Sequence, residues 1–180
     1  MNKIIVLICI FLFLAFFYRY PKENIREGSV DKVYSPAYGK IMSIKRRDDN
    51  TIYIAIFLSP FDIHYQFFPV SGKIKDIKYD HTGNFELAYE LNKSNENEKC
   101  IHVINNKHGD FIVYQIAGFL VRRISYYDTL NKEYNSGEKL GLIHFGSRVD
   151  LIIPKADLFK LYVKEGDYVS GSESMIGEFI

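Results

Sequence analysis

The sequence predicts a mainly β chain with small helical insertions and one apolar helix at its start. Three observations carry that expectation. Short runs of alternating or continuous apolar residues recur along the chain, separated by Gly- and Asx-rich turns. Tyr and Phe number 14 each with no Trp, and aromatic residues favour half-buried sheet surfaces. Helical periodicity is scarce after the first twenty residues, leaving only 85–92 and 156–159 as candidate short helices.

The bulk properties narrow the function. A chain of 180 residues is enough for one domain with a sizeable core plus a short appendage. A formal net charge of +1 gives no strong global field, so nucleic acid is not an expected partner. Cys9 and Cys100 make no disulfide or metal framework. The five histidines lack paired ligand spacing, so no metal is expected.

Taken in order, Ile4 to Tyr18 is an unbroken apolar run. As a helix it spans about 22 Å, against roughly 30 Å for a bilayer's hydrocarbon core. Snorkelling of Lys3 and Arg19 closes part of that gap. No small-x-small cleavage site follows, and a core helix is rarely apolar on every face at a terminus. Residues 1–20 therefore read as an uncleaved membrane anchor. Lys3 stands alone on one side, with Arg19, Lys22 and Arg26 on the other, which places the globular part on the cytoplasmic side. The polar stretch 21–31 reads as a linker, and 32–180 as the folded domain.

Within that domain, Lys40–Ile44 and Thr51–Leu58 flank the charged turn Arg46-Arg47-Asp48-Asp49-Asn50 as two strands. Gly72–Ile77 alternates as a third. Cys100–Asn105 and Phe111–Gln115 flank Asn106-Lys107-His108-Gly109-Asp110 as a hairpin. The stretch Gly141-Leu142-Ile143-His144-Phe145-Gly146-Ser147-Arg148-Val149-Asp150-Leu151-Ile152-Ile153 sets a Gly-Ser pair between two strand-like runs. Gly before Ser permits a strained backbone and leaves the Gly carbonyl open to the Ser hydroxyl, given a base. The plainer reading of such a pair is a bulge or bend in a strand.

Val163 to Glu178, with two Gly turns between short strands, resembles the hammerhead half of biotinyl and lipoyl domains, as does Ser35–Ile41. The expected architecture is thus a hammerhead or barrel-sandwich-like β domain. A carrier's swinging arm needs a Lys at a tight hairpin tip, and none stands out, so the shape is expected without that function.

Several segments together resemble the short form of the phosphatidylserine decarboxylases. They are Phe17-Tyr18-Arg19-Tyr20-Pro21, Ser35-Pro36-Ala37-Tyr38-Gly39-Lys40-Ile41, Phe57-Leu58-Ser59-Pro60-Phe61-Asp62-Ile63-His64 and Pro69-Val70-Ser71-Gly72-Lys73. Glu96–Lys99, Gln115–Gly118 with Arg122-Arg123-Ile124, and Phe145–Asp150 follow in the same order. The resemblance implies a proenzyme that cleaves itself between Gly146 and Ser147 through an ester, giving fragments 1–146 and 147–180 that stay associated. Ser147 would become an N-terminal pyruvoyl group, an electron sink for the carbanion left by decarboxylation of phosphatidylserine to phosphatidylethanolamine. Membrane lipid is then the partner, and a homodimer is open.

The resemblance places an active-site histidine at His64, a general acid/base for the reaction or for cleavage. Asp62 either orients that ring or caps a turn. His144, three residues before Ser147, is a second, weaker candidate. Arg122 is a candidate for a lipid phosphate or carboxylate, and Arg148 is either a carboxylate partner or half of a structural ion pair. Gln115 lies in a family motif, with packing or a hydrogen bond as its expected role. Two positions depart from the family: Tyr38 stands where Asp is usual, and Phe67 where Arg or His is usual. That Asp is thought to complete an Asp-His-Ser arrangement for self-cleavage, which a neutral Tyr does not replace electrostatically. The alternative function is an uncleaved, non-catalytic lipid-binding protein.

Overall fold

The computed structural model describes residues 3–83, 90–118, 123–144 and 147–180. It is mainly β, with strands holding 47% of the described residues. Helix α1, Lys3–Phe17, is the one α-helix among the described residues, and only Phe17 of it is buried. No helix among the described residues is long and apolar enough to cross a membrane. The stretch 21–31 runs along the body: Arg26 N donates to Ser136 O at 2.8 Å, and its guanidinium lies 3.7 Å over the Tyr34 ring.

Fourteen strands follow among the described residues. They are β1 (Lys32–Tyr34), β2 (Gly39–Arg46), β3 (Ile52–Leu58), β4 (Tyr65–Phe67), β5 (Gly72–Asp80), β6 (Lys99–Asn106) and β7 (Gly109–Ala117), then β8 (Arg123–Tyr126), β9 (Glu133–Tyr134), β10 (Lys139–His144), β11 (Ser147–Ile153), β12 (Phe159–Leu161), β13 (Tyr168–Val169) and β14 (Met175–Phe179). A 3₁₀ turn at Ala156–Leu158 matches the second expected helix, and another stands at Lys93–Glu96. The expected 85–92 helix lies largely outside the described residues.

Eight strands form one antiparallel sheet in the order β13-β2-β3-β11-β7-β6-β5-β9. Two three-stranded sheets, β1-β14-β12 and β4-β10-β8, complete the fold. Alternation explains the core: Ile52, Ile54, Ile56 and Leu58 of β3 are fully buried, as are Val149, Leu151 and Ile153 of the neighbouring β11. Each such side chain contributes about 1.5–3 kcal/mol by leaving water. The two stretches likened to hammerhead halves pair with each other, Tyr168 opposite Lys40 and Val169 opposite Gly39. At Gly39 (φ +148°) an added Cβ would lie 2.2 Å from Phe57 O, so the close approach of β2 to β3 requires glycine.

The hairpin expected around residue 108 is present, with Asn106 opposite Gly109 and Lys107-His108 as its tip. A lysine therefore does stand at a hairpin tip. It is no free arm, because Lys107 Nζ lies 2.8 Å from Asp31 Oδ1.

The topology recasts the Gly-Ser pair. β10 belongs to a three-stranded sheet with β4 and β8, whereas β11 lies inside the eight-stranded sheet between β3 and β7. The chain thus changes sheets between His144 and Ser147. Gly146 itself, like Arg122, lies outside the described residues.

Candidate active site

Ser147 is the first residue of β11, opposite Leu58 of β3 and Ala117 of β7. The strand that leads into this junction is tied to His64, since Ile143 N donates to His64 O at 3.1 Å. His64 follows a closed turn. Asp62 N donates to Ser59 O at 2.9 Å, and Asp62 Oδ2 accepts from Ser59 N at 2.7 Å. Tyr168 Oη donates to the other carboxylate oxygen. The Asp62 side chain thus caps the turn and does not orient the His64 ring. Its backbone does that work: His64 Nδ1 lies 2.9 Å from Asp62 O, which only accepts, so Nδ1 carries the proton. His64 Nε2 is then the bare nitrogen, buried with no hydrogen-bond partner among the described residues.

Phe17 covers that ring at 4.2 Å between centroids, and His64 is fully buried. Burial pushes its pKa down to about 4, with the charges of Arg19 and His144 acting in the same direction and the Asp62 carbonyl opposing them. At neutral pH the arrangement is a neutral imidazole with its basic nitrogen in an apolar setting. His144, half-buried at the end of β10, has Nδ1 3.0 Å from Tyr18 Oη and Nε2 3.2 Å from Ser125 Oγ. Burial and then Arg123 lower its pKa. The fold therefore places His64, just before β4, beside β10, which His144 ends.

Arg148 is ion-paired and hydrogen-bonded within the chain. Its buried guanidinium lies 2.9 Å from Asp150 Oδ1 through Nε, without hydrogen-bond geometry, and donates to Asp150 Oδ2 at 3.0 Å. It also donates to Leu91 O, Ser94 Oγ and Asn95 Oδ1 at 3.0, 2.6 and 2.5 Å. Burial raises the pKa of Asp150 and Arg148 works against that rise. Arg148 ties the segment 91–95 to β11.

Comparison with known proteins now decides the family. The sequence profile described as phosphatidylserine decarboxylase matches residues 11–177. The chain belongs to the phosphatidylserine decarboxylase family. A "Phosphatidylserine decarboxylase proenzyme" of Cytophaga hutchinsonii is 36% identical over 183 residues, 98% of this chain and 81% of that one. One from Prosthecochloris aestuarii is 32% identical over 170 residues, 92% and 76% respectively. A "Putative archaetidylserine decarboxylase proenzyme" of Methanococcoides burtonii is 35% identical over 166 residues, 92% and 75%. Membership makes the chain a decarboxylase-type lyase made as a proenzyme. The solved glucose permease IIA from Mycoplasma capricolum is a looser likeness, with TM-score 0.48 and 19% identity over 81% of this chain and 93% of that one.

Against the family pattern, the two departures turn out to be one contact. Tyr38 and Phe67 pack edge to face with ring centroids 6.2 Å apart. Gly171 admits them: a Cβ there would lie 2.9 Å from Phe67 Cε2 and from Tyr38 Cδ2 and Cε2. Burial raises the pKa of Tyr38, with the charge of Glu173 acting in the same direction. Where the family resemblance implies an Asp and an Arg or His, this chain has exchanged a polar pair for an aromatic one.

A second group was missed by sequence reasoning. His102 Nδ1 lies 2.8 Å from Asp128 Oδ2, and its Nε2 lies 2.8 Å from Gln115 Oε1. Gln115 Nε2 donates to Gln66 Oε1 at 2.7 Å, and Gln66 Nε2 donates to His64 O at 2.6 Å. The terminal carbonyl accepts only, so every donor in the line points from His102 towards His64. All four side chains are buried. Gln115, which carried no derivable chemistry, is thus the middle of a polar line supporting the backbone of His64. One signal was available: His102 sits between Cys100 and Ile104 at inward positions of an alternating strand.

Proposed function

We propose that this chain is a membrane-associated phosphatidylserine decarboxylase that processes itself at Gly146–Ser147. The observation that supports it best is the position of Ser147 at the crossover between sheets, on a strand held on both sides by β3 and β7. A cut before Ser147 would leave that pairing intact, which suits fragments 1–146 and 147–180 that remain one body. It also suits a prosthetic group made from the first residue of β11. A pyruvoyl group there supplies an electron sink when the substrate's carboxylate leaves as carbon dioxide and a proton takes its place.

The chain's own residues account for the rest. For cleavage, the Ser147 hydroxyl gives its proton to a base as its oxygen bonds to the Gly146 carbonyl carbon, and that proton passes to the Ser147 nitrogen as the Gly146–Ser147 C–N bond breaks, leaving an ester. A base then removes the Cα proton of residue 147, the ester C–O bond breaks to release Gly146 as a carboxylate, and water hydrolyses the imine form of the dehydroalanine left at residue 147 to the pyruvoyl ketone and ammonia. His64 Nε2 is the base of this reading, because it is unprotonated and shielded from water. His144 is the second. Asp62 shapes the turn, Arg148 braces β11, and Arg122 remains a candidate for the lipid head group. Helix α1 acts as the lipid anchor, with the globular domain on the cytoplasmic side. The relatives' names cover serine lipids of both acyl and archaeal types, so the head group is the part of the substrate proposed.

The test is intact mass analysis of the full chain. Processing yields a 147–180 fragment lighter by one ammonia than a serine-started peptide, and Ser147→Ala abolishes it. A wild-type chain that stays whole on long incubation overturns the proposal. The Tyr38–Phe67 contact favours one competing reading, an uncleaved lipid-binding protein. It predicts a whole chain that still binds serine-lipid vesicles once α1 is removed.

A further inference from the structure

Phe17, the last residue of α1, and the two residues that follow it each hold a different part of the histidine site. Phe17 stacks on His64. The Tyr18 hydroxyl meets His144 Nδ1 at 3.0 Å. Arg19 donates to Phe61 O at 2.7 Å, in the turn that carries His64, and to Phe16 O at 2.8 Å at the end of its own helix. The remainder of the helix is exposed and apolar: Ile4, Leu7 and Phe11 are 63, 65 and 70% exposed. Fifteen residues rise about 22 Å, too short to cross a hydrocarbon core and long enough to embed in one leaflet. A helix with no charge between Lys3 and Arg19 has hydrocarbon as its matching surroundings.

We propose that α1 is a wall of the histidine site as well as a lipid contact, with Phe17 and Tyr18 as positioning residues for His64 and His144. Phe17 shuts the basic nitrogen of His64 away from water. Tyr18 donates to His144 Nδ1, which leaves the ring proton on Nε2, where Ser125 Oγ accepts it. Lipid that seats the helix thereby sets the state of both rings. This deepens the proposed function by assigning a role to its anchor, but its readout does not depend on cleavage.

The groups that face these rings set the expected titrations. His64 faces Arg19 and His144, with the Asp62 carboxylate turned away to Ser59 and Tyr168. His144 faces Arg123, Tyr18 and Ser125. Phe17→Ala admits water to His64 and should raise its pKa by about one pH unit or more. Phe17→Leu, which keeps an apolar cover, should hold it near the wild-type value. Tyr18→Phe should shift His144 between its Nδ1–H and Nε2–H tautomers and leave His64 in place.

The experiment is ¹⁵N-histidine NMR titration of the full chain carrying Ser147→Ala, in discs of phosphatidylcholine and phosphatidylglycerol. Amide spectra of the sheet check the fold of each variant. Histidine signals that ignore both Phe17→Ala and Tyr18→Phe in folded protein overturn the inference. Failure of the decarboxylase reading would instead appear as a wild-type chain that never cleaves, with these titrations intact.

Discussion

His64 makes acid a specific perturbation of this fold. Its pKa is near 6.5 when the chain is unfolded and about 4 in the folded protein, because burial disfavours the imidazolium. Between those values the unfolded state binds a proton that the folded state refuses, so stability rises with pH there. The contribution is fully present above about 6.5, is lost as pH falls, and levels off below about 4. At about 1.4 kcal/mol per pH unit, the loss is about 3 kcal/mol. The reference is His64→Phe, which keeps a ring against Phe17 but does not titrate. It leaves Asp62 O without its donor, a cost of about 1–3 kcal/mol that does not vary with pH. Asp31, Asp80 and Asp110, whose pKa values are lowered by their hydrogen-bonded partners, also lose stability in acid, but equally in both proteins. Urea unfolding of the Ser147→Ala chain and its His64→Phe derivative, in detergent between pH 7 and 4, isolates the difference. Parallel stability curves agreeing within about 1 kcal/mol would refute a buried neutral His64.

Breaking the His102–Asp128 pair with either His102→Leu or Asp128→Leu should cost about 3–5 kcal/mol, because a buried polar partner is stranded. The double variant should lose less than the sum, as measured by a urea double-mutant cycle. Tyr38→Asp and Phe67→Arg should each destabilise the chain when made alone. Made together, they should regain much of that stability and speed appearance of the 147–180 fragment on a gel time course. Equal processing rates in the double variant and wild type would show that the aromatic exchange is not what limits cleavage. Arg148→Met strands Asp150 and releases Leu91, Ser94 and Asn95. Limited proteolysis should then cut within 91–95 at least about tenfold faster, a figure equivalent to about 1.4 kcal/mol of local opening.

Local pattern carried much of this structure because sheet formation has a short signal. The strands at 40–44, 51–58, 72–77 and around the hairpin tip all appear, since alternation over a few residues records which face is buried. The short 3₁₀ turn at 156–158 was equally local. His64 was marked by its motif, but its tautomer and depressed basicity depend on Phe17, forty-seven positions away, and on a carbonyl direction that no spacing reveals. Asp62 and Arg148 each had two readings in sequence. Their partners are visible only in the fold: Ser59 and Tyr168 for one, Asp150 and the 91–95 segment for the other.

By itself, the sequence determined that the chain is mainly β, that Ile4–Tyr18 is an unbroken apolar run, and that a Gly-Ser pair stands between two strand-like runs. Each of these rests on the chemistry of neighbouring residues, which chain order preserves. Only the tertiary structure decided that the pair lies where the chain changes sheets. The same is true of Tyr38 meeting Phe67, and of the line from Asp128 through His102, Gln115 and Gln66 to the backbone of His64. Those facts depend on which strands pair and which faces meet. Pairing is set by the burial of many side chains at once, so contacts between residues far apart in the chain appear only when the whole sheet has closed over them.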